Sequence, residues 1–176
     1  LMIRRPPRAT LSSSSAASDV YKRQTYDLQP QMSAPEITDK IIESIESREF
    51  DLIIANYANG DMVGHPGKLE PTIEAIEVLD ECLGKLELSL TENCDQMLIT
   101  SDHGNAEQMR DPKSKEEYTA HTNNLVPLVC VSRQSLTATN KNGALSDIAP
   151  TILTLMDIDI PKEMTGQPLF EKSKTH

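Results

Sequence analysis

Three of the four histidines, His65, His103 and His121, stand among acids, glycines and threonines rather than on apolar faces. Asp61-Met62-Val63-Gly64-His65 sets a carboxylate and an imidazole four residues apart, with a glycine that would let the backbone turn so that both side chains converge. Asp102-His103 offers two adjacent ligands that point apart locally, so each would serve a different metal or bridge toward a second ion. His121, within Thr119-Ala120-His121-Thr122, lies in a long polar stretch that can fold back over the others. Mixed oxygen and nitrogen donors of this kind suit zinc or manganese. Each motif alone is weak evidence, because a loop histidine is more often solvated or hydrogen-bonded than a ligand. Together they make five candidate ligands from three separate loops. His176, at the end of the chain, carries no such signal.

The elements that must position these residues are legible as alternating periodicities. Ser33-Ala34-Pro35-Glu36 fits a capping box with proline in the first turn, and Ile37, Ile41, Ile42 and Ile45 follow at helical spacing, which predicts a helix over about 35–47. Asp51 to Tyr57 is a short, nearly continuous apolar run, the pattern of a strand buried on both faces of a parallel sheet. Beyond its polar loop, Ile73, Ile76, Leu79, Leu83 and Leu86 predict one apolar face on a helix over about 70–89. Gln96 to Ser101 reads as a second strand running into Asp102-His103-Gly104-Asn105, and Val126 to Val131 as a third. Asp147 reads as the N-cap of a helix with Ile148, Ile152, Leu155 and Met156 on its inner face, a role that explains it without chemistry. Met62, Met97, Met156 and Met164 read as packing residues. Alternating strands and helices predict an α/β fold with a mainly parallel sheet sandwiched by helices, and such sheets take ligands outside the carboxyl ends of their strands. The polar clusters fall at those ends.

Composition narrows the partners. The 176 residues carry a net charge of −10, which disfavours nucleic-acid backbones and anionic membranes and makes cations the natural counterparts. No apolar run of membrane-spanning length and no secretory leader is visible, so the chain reads as cytoplasmic. Cys82, Cys94 and Cys130 are widely spaced and form no C-x-x-C pair, as expected of reduced, partly buried thiols. Residues 1–24 differ from everything after them: arginines, a Pro-Pro pair and a Ser/Ala tract without apolar periodicity. They resemble translated adapter or vector sequence, with a native disordered tail as the alternative, and are expected to stay outside the packed core, leaving 25–176 as the metal-binding part. Beyond them only Arg48, Arg110 and Arg133 remain, although a small phosphorylated acid is usually gripped by several guanidinium groups.

The phrases Asn56-Tyr57-Ala58-Asn59-Gly60-Asp61-Met62-Val63-Gly64-His65, Ser101-Asp102-His103-Gly104-Asn105-Ala106-Glu107-Gln108-Met109 and Asp147-Ile148-Ala149-Pro150-Thr151 resemble the cofactor-independent phosphoglycerate mutases of the alkaline phosphatase superfamily, as do Tyr26-Asp27-Leu28-Gln29-Pro30 and Met164-Thr165-Gly166. The resemblance runs colinearly from Thr25 onward. It implies an alkaline-phosphatase-like fold and two divalent cations, usually manganese, that activate a serine to pass phosphate between the hydroxyls of 3- and 2-phosphoglycerate in glycolysis. By motif position, Asp61, His65 and His121 resemble the ligands of one metal, and Asp102 and His103 two ligands of the other. The family's N-terminal strand with its metal-binding aspartate, its nucleophilic serine and its inserted substrate-binding domain have no counterpart here, so no catalytic residue is assigned and the chain alone is expected to be inactive. Ser12 to Ser15 have no strand before them and no helix after them to serve as that nucleophile. The full-length parent is expected to be a monomeric isomerase. A two-metal phosphatase or phosphodiesterase of the same superfamily, and a catalytically incompetent metal-binding fragment, are the alternatives.

Overall fold

The computed structural model describes residues 2–4, 9–10, 28–93, 95–139 and 142–173. Cys94 and His176 lie outside the described residues. The chain divides into two compact units, Leu1–Val129 and Cys130–His176.

In the first unit, α1 (Ala34–Ser47) packs against α3 (Leu69–Asn93). Ile41, Ile45, Leu86 and Leu90 form the centre of the core, with Ile37, Ile42, Ile53, Tyr57, Leu83 and Met97 around it. The isoleucines stand where the helical spacing places them. Ser33 precedes α1, but its side chain makes no capping bond; the start is secured by Pro35 in the first turn and by the buried Thr38, whose hydroxyl donates to the Ala34 carbonyl at 2.8 Å. Thr38 Oγ1 also lies 2.8 Å from the Tyr57 hydroxyl. At the other end Arg48 takes a left-handed conformation, φ 55°, and its guanidinium reaches both oxygens of Asp95 at 2.9–3.1 Å and the Asn93 side chain at 2.7 Å. This fork ties the C-terminal ends of α1 and α3 together.

Two of the expected faces differ from the observed ones. On α3 the buried residues are Thr72, Ala75, Cys82, Leu86, Ser89 and Leu90, while Ile73 and Ile76 are 45% and 44% exposed. Thr72 can be buried because its hydroxyl donates to the Lys68 carbonyl at 2.8 Å and lies within 3.3 Å of the Val63 carbonyl, so the helix turns a satisfied polar residue inward. The strand after α1, β3 (Phe50–Ile53), is shorter than its apolar run and is not buried on both faces: Asp51 and Ile54 are exposed.

Among the described residues the strands form three short sheets, two of them antiparallel. β1 (Met2–Arg4) lies between β2 (Ala9–Thr10) and β3, antiparallel to both, with Ile3 opposite Leu52. Residues 2–4 and 9–10 thus form strands on the edge of β3, since a β-ladder is made by backbone donors and acceptors and needs no apolar alternation. Residues 11–24 lie outside the described residues. β4 (Met97–Thr100) pairs with β5 (Leu128–Val131), within which the first unit ends. No described helix is long and apolar enough to cross a membrane. Cys82 and Cys130 are free thiols, the first buried and the second half-buried, and burial pushes the Cys130 thiol up.

In the second unit, β6 (Leu136–Ala138) and β7 (Phe170–Lys172) form an antiparallel pair beside α4 (Ile148–Leu155). The inward residues of α4 are Pro150 and Thr151; Ile148, Ile152, Leu155 and Met156 are only half-buried. Thr151 Oγ1 donates to the Asp147 carbonyl at 2.6 Å and accepts the Leu169 N–H at 2.9 Å.

Asp147 does more than end a helix. Its carboxylate makes no cap bond within α4 and instead accepts the N–H groups of Ala144 and Gln167, each at 2.8 Å, which ties the turn before α4 to the chain before β7. Those two bonds hold its carboxyl below the ordinary aspartate value of 3.8. A lowered folded value means that the contribution is complete above the unfolded value and is lost as pH falls through the folded one. Asp147→Asn should therefore flatten the acid limb of stability as pH falls through and below 3.8, followed by urea unfolding at each pH; an acid limb of unchanged slope would remove Asp147 from the account.

Candidate metal centre

The segment expected to be a glycine-bent loop is a short helix, α2 (Asn59–Gly64). Asn59, buried, anchors its first turn by donating from Nδ2 to the carbonyls of Pro30 at 2.8 Å and Gln31 at 3.0 Å, and Val63 is fully buried beneath it. Asp61 and His65 converge because four residues on a helix return to the same face, and the His65 N–H closes the turn on the Asp61 carbonyl at 3.0 Å. Gly67 then turns the chain at φ +74°, where an added Cβ would stand 3.0 Å from Glu117 Cβ and 3.1 Å from Thr119 Cγ2. The glycine thus lets the 117–119 segment pass close to His65.

His121 arrives on that segment. Its approach is shaped by a loop in which Tyr118 N–H donates to the Met109 carbonyl and Asp111 N–H to the Glu116 carbonyl, and by Thr122 N–H donating to the Gly104 carbonyl at 2.9 Å. His121 Nε2 lies 2.9 Å from Asp61 Oδ1 and 3.3 Å from His65 Nε2, and His65 Nε2 lies 3.2 Å from Asp61 Oδ1. His65 Nδ1 faces the Thr119 carbonyl at 3.0 Å. A carbonyl can only accept, so the proton sits on Nδ1 and the Nε2 lone pair points at Asp61 and His121.

The structure brings His103 to the same place. Its ring stacks on that of His121, with centroids 3.7 Å apart and planes at 17°, and its Nε2 is 4.0 Å from Asp61 Oδ1 and 3.6 Å from Asp102 Oδ1. Asp61, His103 and His121 each offer an atom within 4.8 Å of the other two. Asp102, adjacent in sequence, stays at the rim with its side chain 82% exposed. Four of the five expected donors therefore share one locus, and the fifth borders it.

This donor set fits a divalent cation. Ligand atoms at roughly 2.1 Å from a common centre stand about 3.0 Å apart at right angles and about 3.4 Å apart in a tetrahedron. The Asp61–His65–His121 triangle has edges of 2.9, 3.2 and 3.3 Å.

Sequence reasoning passed over the residues that surround these donors. Asn105, 6% exposed, donates from Nδ2 to Asp61 Oδ1 at 2.9 Å. Its own N–H donates to Glu107 Oε2 at 2.6 Å, while Glu107 Oε1 accepts from the Thr122 hydroxyl and, at 2.9 Å, from Asn124 Nδ2. Burial pushes the Glu107 carboxyl up, but bonds from Thr122, Asn124, its own backbone and Asn105 outweigh it and hold the carboxyl below its ordinary range. The available signal was an Asn and a Glu two residues apart just beyond Asp102-His103-Gly104, where polar residues have no need to form a core face.

Three comparisons agree with this chemistry. The model of the Metalloenzyme superfamily matches residues 18–160. The 2,3-bisphosphoglycerate-independent phosphoglycerate mutase of Ruthia magnifica subsp. Calyptogena magnifica is 59% identical over 147 residues, 83% of this chain and 29% of the relative, and that of Salmonella typhi is 55% identical over 146 residues, 83% of this chain and 28% of the relative. The crystal structure of Leishmania mexicana phosphoglycerate mutase at low cobalt concentration superposes with a TM-score of 0.76 at 27% identity, over 85% of this chain and 30% of that one. The chain thus spans less than a third of the length of these relatives. With an alkaline-phosphatase-like metalloenzyme fold, a clustered His/Asp site and a family match over most of its residues, the chain belongs to the Metalloenzyme superfamily and is related within it to the 2,3-bisphosphoglycerate-independent phosphoglycerate mutases.

Proposed function

We propose that this chain forms the metal-binding part of a phosphoglycerate mutase that interconverts 3- and 2-phosphoglycerate, with Asp61, His65 and His121 holding one divalent cation and Asp102 and His103 contributing to a second. The observation that carries the reading is the near-equilateral triangle of donor atoms at 2.9, 3.2 and 3.3 Å in a chain more than half identical to enzymes of that name. A bound pair of divalent cations, manganese in this reading, would supply the positive charge that favours ionisation of an attacking hydroxyl and offsets the charge of a phosphoryl group in transfer.

The chain's own residues supply the frame. Asp61 brings the negative charge to the centre of the triangle's donors, His65 is fixed by Thr119, and His121 is fixed through Thr122 and Gly104. Asp102, exposed beside His103, presents a carboxylate on the open side where a second ion and a phosphate would meet. The nucleophilic serine and the guanidinium groups that grip the substrate belong, in this reading, to the remainder of a protein of the relatives' length.

The test uses a full-length protein carrying this sequence. It should form 2-phosphoglycerate from 3-phosphoglycerate, lose that activity on chelation and regain it with Mn2+. Release of inorganic phosphate in place of 2-phosphoglycerate would make it a phosphatase and overturn the mutase reading.

A further inference from the structure

We propose that Asn105 is a positioning residue for the metal centre, aiming the Asp61 carboxylate while Glu107 locks it to the strand of chain that carries His121. The inference rests on the metal-binding reading above and adds a residue to it that offers no donor atom to the ion.

The Asn105 amide meets Asp61 at Oδ1, the same oxygen that faces His65 and His121. A carboxylate oxygen has two lone pairs; with one taken by the amide N–H, the other is directed into the donor triangle. The other end of the amide shows what the arrangement is for. Asn105 Oδ1 is buried and has no hydrogen-bond partner among the described residues. An asparagine serving packing alone would have both ends satisfied, whereas this one leaves its acceptor bare so that its donor faces Asp61. α2 is also shaped around it: a Cβ at Gly64 would stand 2.5 Å from Asn105 Oδ1, so the helix carrying Asp61 and His65 is cut back where the amide passes.

Glu107 supplies the second connection. Its two oxygens divide between Asn105 N–H on one side and Thr122 Oγ1 with Asn124 Nδ2 on the other, and Thr122 is the neighbour of His121. One carboxylate therefore sets the spacing between the loop that aims Asp61 and the loop that carries His121. Gly104 makes room for it, since a Cβ there would overlap both Thr122 Oγ1 and Glu107 Oε1. Outer partners of this kind typically change metal affinity by about 10–100-fold when removed, because they fix ligand orientation before the ion arrives.

The experiment is Mn2+ calorimetry on the full 176-residue chain, with thermal unfolding recorded with and without Mn2+. Asn105→Ser should bind Mn2+ about 10–100-fold more weakly at unchanged stoichiometry, and the rise in Tm on adding Mn2+ should shrink. Gly64→Ala keeps the amide but displaces it, and should weaken binding in the same direction; it decides the matter if Asn105→Ser does not fold. A purely structural role would lower the metal-free Tm and leave the Mn2+ affinity of the folded variant alone. Wild-type binding with both variants within about twofold of it would overturn the positioning role and leave the metal centre standing. A wild-type chain that binds no Mn2+ would overturn the metal-binding reading, and this inference with it.

Discussion

Asp61→Ala should abolish Mn2+ binding at the first site, with an affinity loss beyond the roughly 100-fold that removal of an outer partner brings. The side chain is the single point at which the whole cluster meets: Oδ1 lies 2.9 Å from His121 Nε2, 3.2 Å from His65 Nε2, 4.0 Å from His103 Nε2 and 2.9 Å from Asn105 Nδ2. Removing it takes away one of the three proposed ligands and the only carboxylate in the donor triangle. Asp61→Asn keeps the shape and one acceptor oxygen without the charge, and should fall between wild type and alanine. Calorimetric titration of Mn2+ into the three chains checks the order. Wild-type affinity in Asp61→Ala would place the ion elsewhere in the protein.

The second large effect should come from a residue with no side chain at all. Gly166 is buried, and a Cβ built there would overlap the carbonyl oxygen of Ser146 and come within 2.9 Å of Asp147 Oδ1. The obstruction is backbone, which cannot swing aside as a flexible side chain would, and it sits beside the Gln167 N–H that donates to Asp147. Gly166→Ala should therefore cost about 1–3 kcal/mol, the range for overfilling a packed site. Gly84 is the internal contrast. It lies within α3 with nothing inside 4 Å of an added Cβ, so Gly84→Ala should stabilise the chain by about 0.5–1 kcal/mol through helix propensity alone. Urea unfolding of both variants reads the two signs; a neutral Gly166→Ala would mean that the turn around Ser146 yields.

The pattern of what was legible follows the range of the forces involved. α1 could be read from Ile37, Ile41 and Ile45, because a helix repeats every few residues and its core face is written at that spacing. α2 could not. Six residues with glycine at two positions resemble a turn, and what makes them helical is Asn59 reaching the carbonyls of Pro30 and Gln31, 29 and 28 residues away. The buried face of α3 was misplaced for a related reason. Hydropathy counts Ile73 and Ile76 as inward and passes over Thr72, but Thr72 is satisfied by Lys68 and Val63 and takes the interior. Burial there follows hydrogen bonding, which a hydropathy pattern does not weigh. The strand pairing of Met2–Arg4 with β3 is likewise a matter of backbone groups, to which composition is blind.

The site divides in the same way. By itself the sequence determined which candidate donors exist, Asp61, His65, Asp102, His103 and His121, and that Asp61 and His65 stand four residues apart, because residue type and local spacing are properties of the chain alone, whereas the helix that turns that interval into a shared face came from the fold. Only the tertiary structure decided that His121 crosses 60 positions to meet Asp61, that His103 joins them while Asp102 stays at the rim, and that Asn105, 44 positions from Asp61, donates to its carboxylate. Those contacts depend on loop closure, on the passage opened at Gly67 and on carbonyls such as that of Thr119, none of which leaves a periodic trace in the order of the residues.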